Sequence, residues 1–213
     1  MSSRPDYREL FDATPRAGAG KDWLPQMKIS AIEQFEAVGF PTTRDEDWHF
    51  TSVTPIAERL FKPARPHATT LTASDIAPFT YGQAKWHLLV FVNGRFEPSL
   101  SSFAQLDADA RVMTFAEALK EAPELLAERL GTLAPKAHAF TALNTAFLSD
   151  GVVIHVPKDV ALDEPVHILY VTDAQAANAS MHPRTLLVAE RGACVTLVES
   201  FAAIGSAAYF TNH

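Results

Sequence analysis

Cysteine is almost missing from this sequence, with Cys194 the single example among 213 residues. One thiol closes no loop, so a secreted disulfide framework is excluded and a reducing compartment is expected. No apolar run reaches the length of a signal-peptide core or a membrane span, and charges are scattered from Met1 to Leu10. A soluble, cytoplasmic protein is therefore expected, and the sequon Asn178-Ala179-Ser180 carries no weight. Positive charge is scarce as well. Eighteen basic residues face 25 acidic ones, a formal net charge of −7, which is the wrong sign for a protein that neutralises a phosphate backbone.

Catalytic signatures are equally thin. The sequence holds no Gly-x-Ser-x-Gly elbow, no His-Glu-x-x-His helix and no Cys-x-x-Cys pair. Gly18-Ala19-Gly20-Lys21 superficially looks like a phosphate loop, but Pro15 stands where the first glycine belongs and Asp22 where a hydroxyl is needed. Four of the eight histidines, His155, His167, His182 and His213, fall where the pattern is strand-like, which raises a metal site because imidazole is a common ligand. They come singly, so surface or turn positions are expected, with His155 facing away from Val152, Ile154 and Val156. Cys194 has only Arg191 near it in sequence to lower its pKa, so a small inert side chain is expected. Asp150, Asp163 and Glu164 fit turn formation better than paired-carboxylate chemistry. No catalytic, cofactor-binding or metal-ligating residue is assigned.

What the sequence does hold is a change of period. Met27, Ala31, Phe35 and Val38, widened by Ile32, recur at helical spacing and are stopped by Gly39 and Pro41. Thr43, with Glu46 three positions on, predicts a short capped helix, the alternative being a solvated acidic turn around Trp48. Residues 63–80 read as a long irregular connection. The apolar run 87–92 followed by Asn93-Gly94 predicts a hairpin near 87–97. Thr114 opens two short helices or one kinked at Pro123 and stopped by Gly131, and a further helix is predicted over 139–147.

After Ser149 helical spacing gives way to alternation: Val152, Ile154 and Val156, then Val166, Ile168 and Tyr170, then Leu186 and Val188, Val195 and Leu197, and a last run over 208–211. This change sets the expected domain border, with a mainly helical domain over 1–137 and an all-β core over 138–213. Sandwich, barrel and β-solenoid all suit such strands, whereas a doubly wound sheet would need crossover helices between them. The final run stops without a polar cap, so a missing C-terminal portion is expected.

Several separate strings occur together in order. Gly39-Phe40-Pro41 is followed by Arg44, Glu46, Asp47, Trp48 and Thr51; later come Phe140-Thr141-Ala142-Leu143-Asn144-Thr145-Ala146-Phe147, Asp150-Gly151-Val152 and Val156-Pro157-Lys158. Glu164-Pro165-Val166-His167, His182-Pro183-Arg184, Gly192-Ala193 with Glu199, and Tyr209-Phe210-Thr211-Asn212 complete the set. This combination resembles the SufB/SufD family of iron-sulfur cluster assembly scaffolds, and the acidic segment around Trp48 leans toward its SufD branch. The resemblance implies an α+β fold, an N-terminal helical domain followed by the start of a right-handed parallel β-helix. It also implies a non-enzymatic scaffold that pairs with SufB and with the ATPase SufC, the cluster being assembled by the full complex with no cofactor in this segment. The family's cluster-binding and SufC-docking residues lie in later regions, so no site residue is carried over.

Two other readings stand beside it. A β-helix enzyme acting on acidic polysaccharide would present convergent charged residues along one face, and a His-ligated metal-binding β-protein would bind metal stoichiometrically.

Overall fold

The computed structural model describes residues 6–14, 23–102, 106, 109–133 and 138–213. The Gly18-Ala19-Gly20-Lys21 run and residue 137, the end of the first expected domain, lie outside the described residues. Helices are α1 (Tyr7–Ala13), α2 (Trp23–Val38), α3 (Thr54–Ala57), α4 (Ala73–Ile76), α5 (Phe115–Glu121), α6 (Pro123–Arg129) and α7 (Ala139–Phe147). Strands are β1 (Lys62–Pro63), β2 (His87–Val92), β3 (Arg95–Phe96), β4 (Arg111–Thr114), β5 (Gly151–Val156), β6 (Val166–Thr172), β7 (Ala179–Met181), β8 (Arg184–Ala189), β9 (Leu197–Ala203) and β10 (Phe210–Thr211). Helix and strand are thus mixed along the chain. Among the described residues no helix is long and apolar enough to cross a membrane.

The strands form three sheets, ordered β1-β7-β10, β3-β2-β6-β9 and β4-β5-β8. From β5 onward the chain visits the three sheets in turn and returns to each three strands later. Gly151 of β5 lies beside Arg184 of β8, Val166 of β6 beside Leu197 of β9, and Ser180 of β7 beside Phe210 of β10, every pair parallel. Parallel neighbours require a long crossover, and here the crossovers are strands of the other two sheets. The turns follow the same stacking, since Leu162 N–H donates to Cys194 O and Cys194 N–H to Val160 O, both at 2.9 Å. Strands β1, β2 and β4 join β7, β6 and β5 on the opposite edges, so all three sheets combine strands from before and after residue 138.

Three apolar layers account for this arrangement. Leu89 and Phe91 of β2, Val152, Ile154 and Val156 of β5, and Val166, Ile168 and Tyr170 of β6 form one cluster. The opposite faces of β2 and β6, carrying Val90, Val92, Leu169 and Val171, pack with Ile76 and Leu100. The opposite face of β5 packs Val153 with Met113 of β4, Phe115, Ala118 and Leu126 of α5 and α6, and Leu24 of α2. Strand β6 is therefore buried at all seven positions, and β5 at all but His155. The alternation seen in the sequence understates their burial, because both faces are covered and the intervening Val153, Leu169 and Val171 are apolar too.

Local chemistry sets the element ends. Asn93 and Gly94 both take positive φ, 49° and 78°, the pair of left-handed residues that a tight hairpin needs, and Phe91 opposite Phe96 closes the β2/β3 pair. Thr114 caps α5 reciprocally with Glu117, its backbone N–H and hydroxyl donating to Oε2 at 2.8 Å each, and Pro123 starts α6 as a separate helix. The expected Thr43 cap does not form. A single 3-10 turn, Glu46–Trp48, follows Asp45, whose carboxylate accepts from the Thr42 N–H at 2.6 Å and from the Thr42 hydroxyl at 3.1 Å. The stretch read as irregular contains the end of β1, α4 and a 3-10 turn at Ala77–Phe79, and Asn178-Ala179-Ser180, passed over as a sequon, runs into β7.

Helix α2 is rotated relative to its expected stripe. Leu24, Lys28, Ala31, Ile32 and Phe35 are buried while Val38 is 48% exposed. Lys28 is tolerated because its Nζ donates to the carbonyl of Leu148, the residue capping the C-terminus of α7, where free carbonyls and the helix dipole favour a cation. Burial still pushes the Lys28 amine down to about 8. Helix α7 packs on α2, and Tyr7, Phe11, Phe35, Leu143, Phe147 and Phe210 share a cluster.

Candidate functional site

The loop that follows α2 is held by aromatic contacts at its base. Phe40 makes edge contacts with Phe35 and Tyr7, at 5.0 and 5.5 Å between ring centroids, and lies 5.6 Å from Phe140. Trp48 lies 5.2 Å from Phe140 and 6.0 Å from His138. Phe50, two residues further, is 96% exposed. Thus Phe40 and Trp48, which the sequence pattern singled out, anchor the loop on α7, and Phe50 is the side chain it presents.

Between this loop, α1, the end of α2 and α3 lies an open cleft of about 740 Å³. Among the described residues its lining includes Asp6, Glu36 and Glu58 and one cation, Arg8. The Arg8 guanidinium donates to Asp12 and to Glu36, each at 3.2 Å, so its charge is already matched. Tyr7 also lines the cleft; its hydroxyl is buried and has no hydrogen-bond partner among the described residues, and burial pushes its pKa up to about 12. Asp45 at the loop's turn is held below its ordinary range by the Thr42 backbone and hydroxyl donors. Tyr7, Glu36 and Glu58 escaped sequence reading because no spacing links them.

A second polar group sits across β6, β8, β9 and the C-terminal residues. Phe201 stacks on Tyr170 with centroids 5.0 Å apart and planes 15° apart, and His213 lies 5.4 and 5.5 Å from the two rings. The Thr185 hydroxyl donates to Glu199 at 2.6 Å, and His213 Nε2 lies 3.3 Å from the same carboxylate. Burial alone would raise Glu199, but the bonds from His213 and Thr185 win and hold it below its ordinary value. Burial pushes the Tyr170 hydroxyl well above the usual phenol range.

The four histidines separate into two kinds, which corrects the expectation of surface or turn positions for all of them. His155 is half-buried and meets Glu190 at 2.9 Å, on the strand face opposite Val152, Ile154 and Val156. His213 is exposed. His167 is buried, 3.0 Å from the Ser200 hydroxyl and packed on Tyr81 and Trp86, and burial lowers its pKa. His182 is buried between Phe147 and Phe210, and burial pushes it down to about 3. The physical reason is stacking: a residue that looks terminal in its own strand is covered by the helix or strand packed over it. Among the described residues no three His, Cys, Asp or Glu side chains come together as a metal site would require. Cys194 is exposed. Asp150 is not a solvated turn residue; its carboxylate accepts from the Phe96 N–H at 3.0 Å and the Gly151 N–H at 2.8 Å, and burial raises its pKa against those two bonds.

Comparison with known proteins completes the picture. The family model for the SufBD protein N-terminal region matches residues 1–168. An iron-sulfur cluster assembly SufBD family protein of Synechocystis sp. is 29% identical over 201 residues, which is 94% of this chain and 44% of that protein. A second SufBD family protein of Synechocystis is 36% identical over 87 residues, 40% of this chain and 18% of its own length, and one of Staphylococcus saprophyticus is 39% identical over 83 residues, 38% and 17%. The chain spans less than half the length of these curated relatives. With the family model matched over most of its length, the chain belongs to the SufBD protein family.

Proposed function

We propose that this chain is a scaffold subunit in iron-sulfur cluster assembly, of the SufD type, pairing with a SufB-type subunit and working with a SufC-type ATPase. The family match over residues 1–168 carries the reading, and the relatives named for iron-sulfur cluster assembly support it. The cluster is cargo assembled by the complex rather than a cofactor of this segment, and the chain itself performs no turnover. The cyclic return of parallel strands to three sheets supports a further structural reading, that β5–β10 are successive turns of a right-handed parallel β-helix. The proposed two-part division, 1–137 and 138–213, follows the change of local period. The single unpaired cysteine supports a cytoplasmic location.

Co-expression of the tagged chain with a SufB-type subunit and a SufC-type ATPase, followed by affinity purification and native mass measurement, tests the assignment. Retention of the SufB-type subunit at one copy per chain is expected, with the ATPase retained through it. Recovery of the chain without the SufB-type subunit overturns the pairing.

A further inference from the structure

The polar cluster between β9 and the loop before β2 carries an inference independent of the assembly reading. Ser200 of β9 has its hydroxyl 3.0 Å from His167 Nε2 on β6 and 3.1 Å from the Tyr81 hydroxyl. His167 is buried against the rings of Tyr81 and Trp86, at 5.6 and 5.9 Å between centroids, and burial keeps it neutral at pH 7. A neutral imidazole accepts the proton of a bonded hydroxyl, the pairing that turns a serine into a nucleophile. Ser200 is half-buried and Tyr81 is 60% exposed, so the cluster borders solvent.

The backbone is bent to make this contact. Tyr81 and Gly82 form a tight turn, closed by Gln83 N–H donating to the Thr80 carbonyl at 3.1 Å, and both take positive φ, 55° and 66°. Such a turn prefers Asn-Gly, and a bulky aromatic in the left-handed region is strained. Strain of this kind gathers where a side chain must be aimed, and here it aims a hydroxyl at a serine 119 residues away. Strand β9 adds a backbone donor. Alternate residues of a parallel strand bond to its neighbour, and Ile204 N–H donates to the Thr172 carbonyl at 2.8 Å. By that alternation the N–H of Phe201, next after Ser200, points to the outer edge of the sheet.

We infer that Ser200 is a nucleophilic serine that accepts one acyl group from an activated ester. Its Oγ bonds to the carbonyl carbon, the bond from that carbon to the ester oxygen breaks, and the serine proton passes through His167 Nε2 to the departing oxygen. The Phe201 N–H is the donor available to the carbonyl oxygen as its charge develops. Tyr81 is a positioning residue whose hydroxyl holds Oγ beside His167. A single transfer modifies the chain and is not turnover.

The probe is p-nitrophenyl acetate, mixed with the 213-residue chain near neutral pH. Absorbance follows p-nitrophenolate release, and peptide mass mapping locates the acetyl group. One equivalent released and one acetyl group on Ser200 are expected. Ser200→Ala should abolish that label. His167→Gln, which still bonds to the hydroxyl but takes no proton, should slow it about a hundredfold, and Tyr81→Phe, which keeps the ring, severalfold. Urea midpoints of each variant separate lost reactivity from lost fold; if His167→Gln unfolds, Tyr81→Phe with its exposed ring still carries the test. A wild-type chain unlabelled at Ser200, acetyl groups on lysines alone, or Ser200 labelled at the wild-type rate in the folded variants would each overturn the inference.

Discussion

Strands β6 and β9 lie side by side in one sheet, parallel and in register from Val166 beside Leu197 to Thr172 beside Ala203, yet all seven residues of β6 are buried and none of β9 is. Composition does not explain this, since β9 carries Leu197, Val198 and Phe201. Position does. β6 has β2 on one edge and β9 on the other, with Ile76 and Leu100 against one face and Ile154 and Phe91 against the other. β9 is an outer strand of its sheet, and Glu199 and Phe201 stand beside the fully buried Ile168 and Tyr170 while remaining exposed themselves. In a stack of this kind a residue's burial is conferred by its neighbours in adjoining strands, so equivalent positions carry unequal free energies.

The comparison breaks most severely at the join between the two layers. A Cβ on Gly151 would lie 2.0 Å from the Arg184 carbonyl oxygen, a backbone atom that cannot move aside without parting β5 from β8. Gly151→Ala is expected to cost about 4 kcal/mol or more, measured as the shift of the urea midpoint; a variant with wild-type stability would show that the strands separate freely. Next in size, Ile168→Ala should cost about 3 kcal/mol, the loss of a fully buried side chain together with the cavity it leaves, whereas Glu199→Ala at the adjoining position should cost less than about 1 kcal/mol. Equal losses in the two urea titrations would erase the distinction between the layers.

Acid should destabilise the fold through the covered His182. His182 is held near 3 in the fold by burial, against about 6.5 in the unfolded chain. Between those values the unfolded chain binds a proton that the fold refuses, so stability is highest above 6.5 and falls as pH falls toward 3. The expected loss from pH 7 to pH 5 is about 2 kcal/mol, and His182→Leu should remove that part of the slope. An unchanged slope would mean that another group carries it. Glu199, held below its ordinary value, is stabilising above the carboxylate range and adds its loss only as pH falls through it. A smaller effect than at Ile168 or His182 is expected at Phe201, whose stacking on Tyr170 contributes about 1 kcal/mol; Phe201→Ala should lower the thermal midpoint by a few degrees.

Much of the local structure was legible. The Asn93-Gly94 turn, the helix start at Thr114, the Pro123 break and the apolar spacing of α7 each act over four residues or fewer, so the sequence states them directly. The candidate site was legible only in part. Phe40 and Trp48 stood out as residue types in a recognisable string, but Tyr7, Glu36 and Glu58 come from three separate helices or their ends and share a cleft only after α1, α2 and α3 pack. The rotation of α2 was hidden for a similar reason: Lys28 is buried because the Leu148 carbonyl waits at the end of a helix 120 residues away.

The sequence by itself determined the longer helices and strands, the Asn93-Gly94 turn and the Pro123 break, the negative charge that disfavours phosphate partners, and the family, because each is written in neighbouring residues or in short ordered strings. Tertiary structure alone decided which strands are covered, where His167 and His182 lose their solvent, and that three dispersed acidic side chains border one cleft. Those properties depend on what is stacked over a residue, and the residues that do the covering lie tens of positions away along the chain.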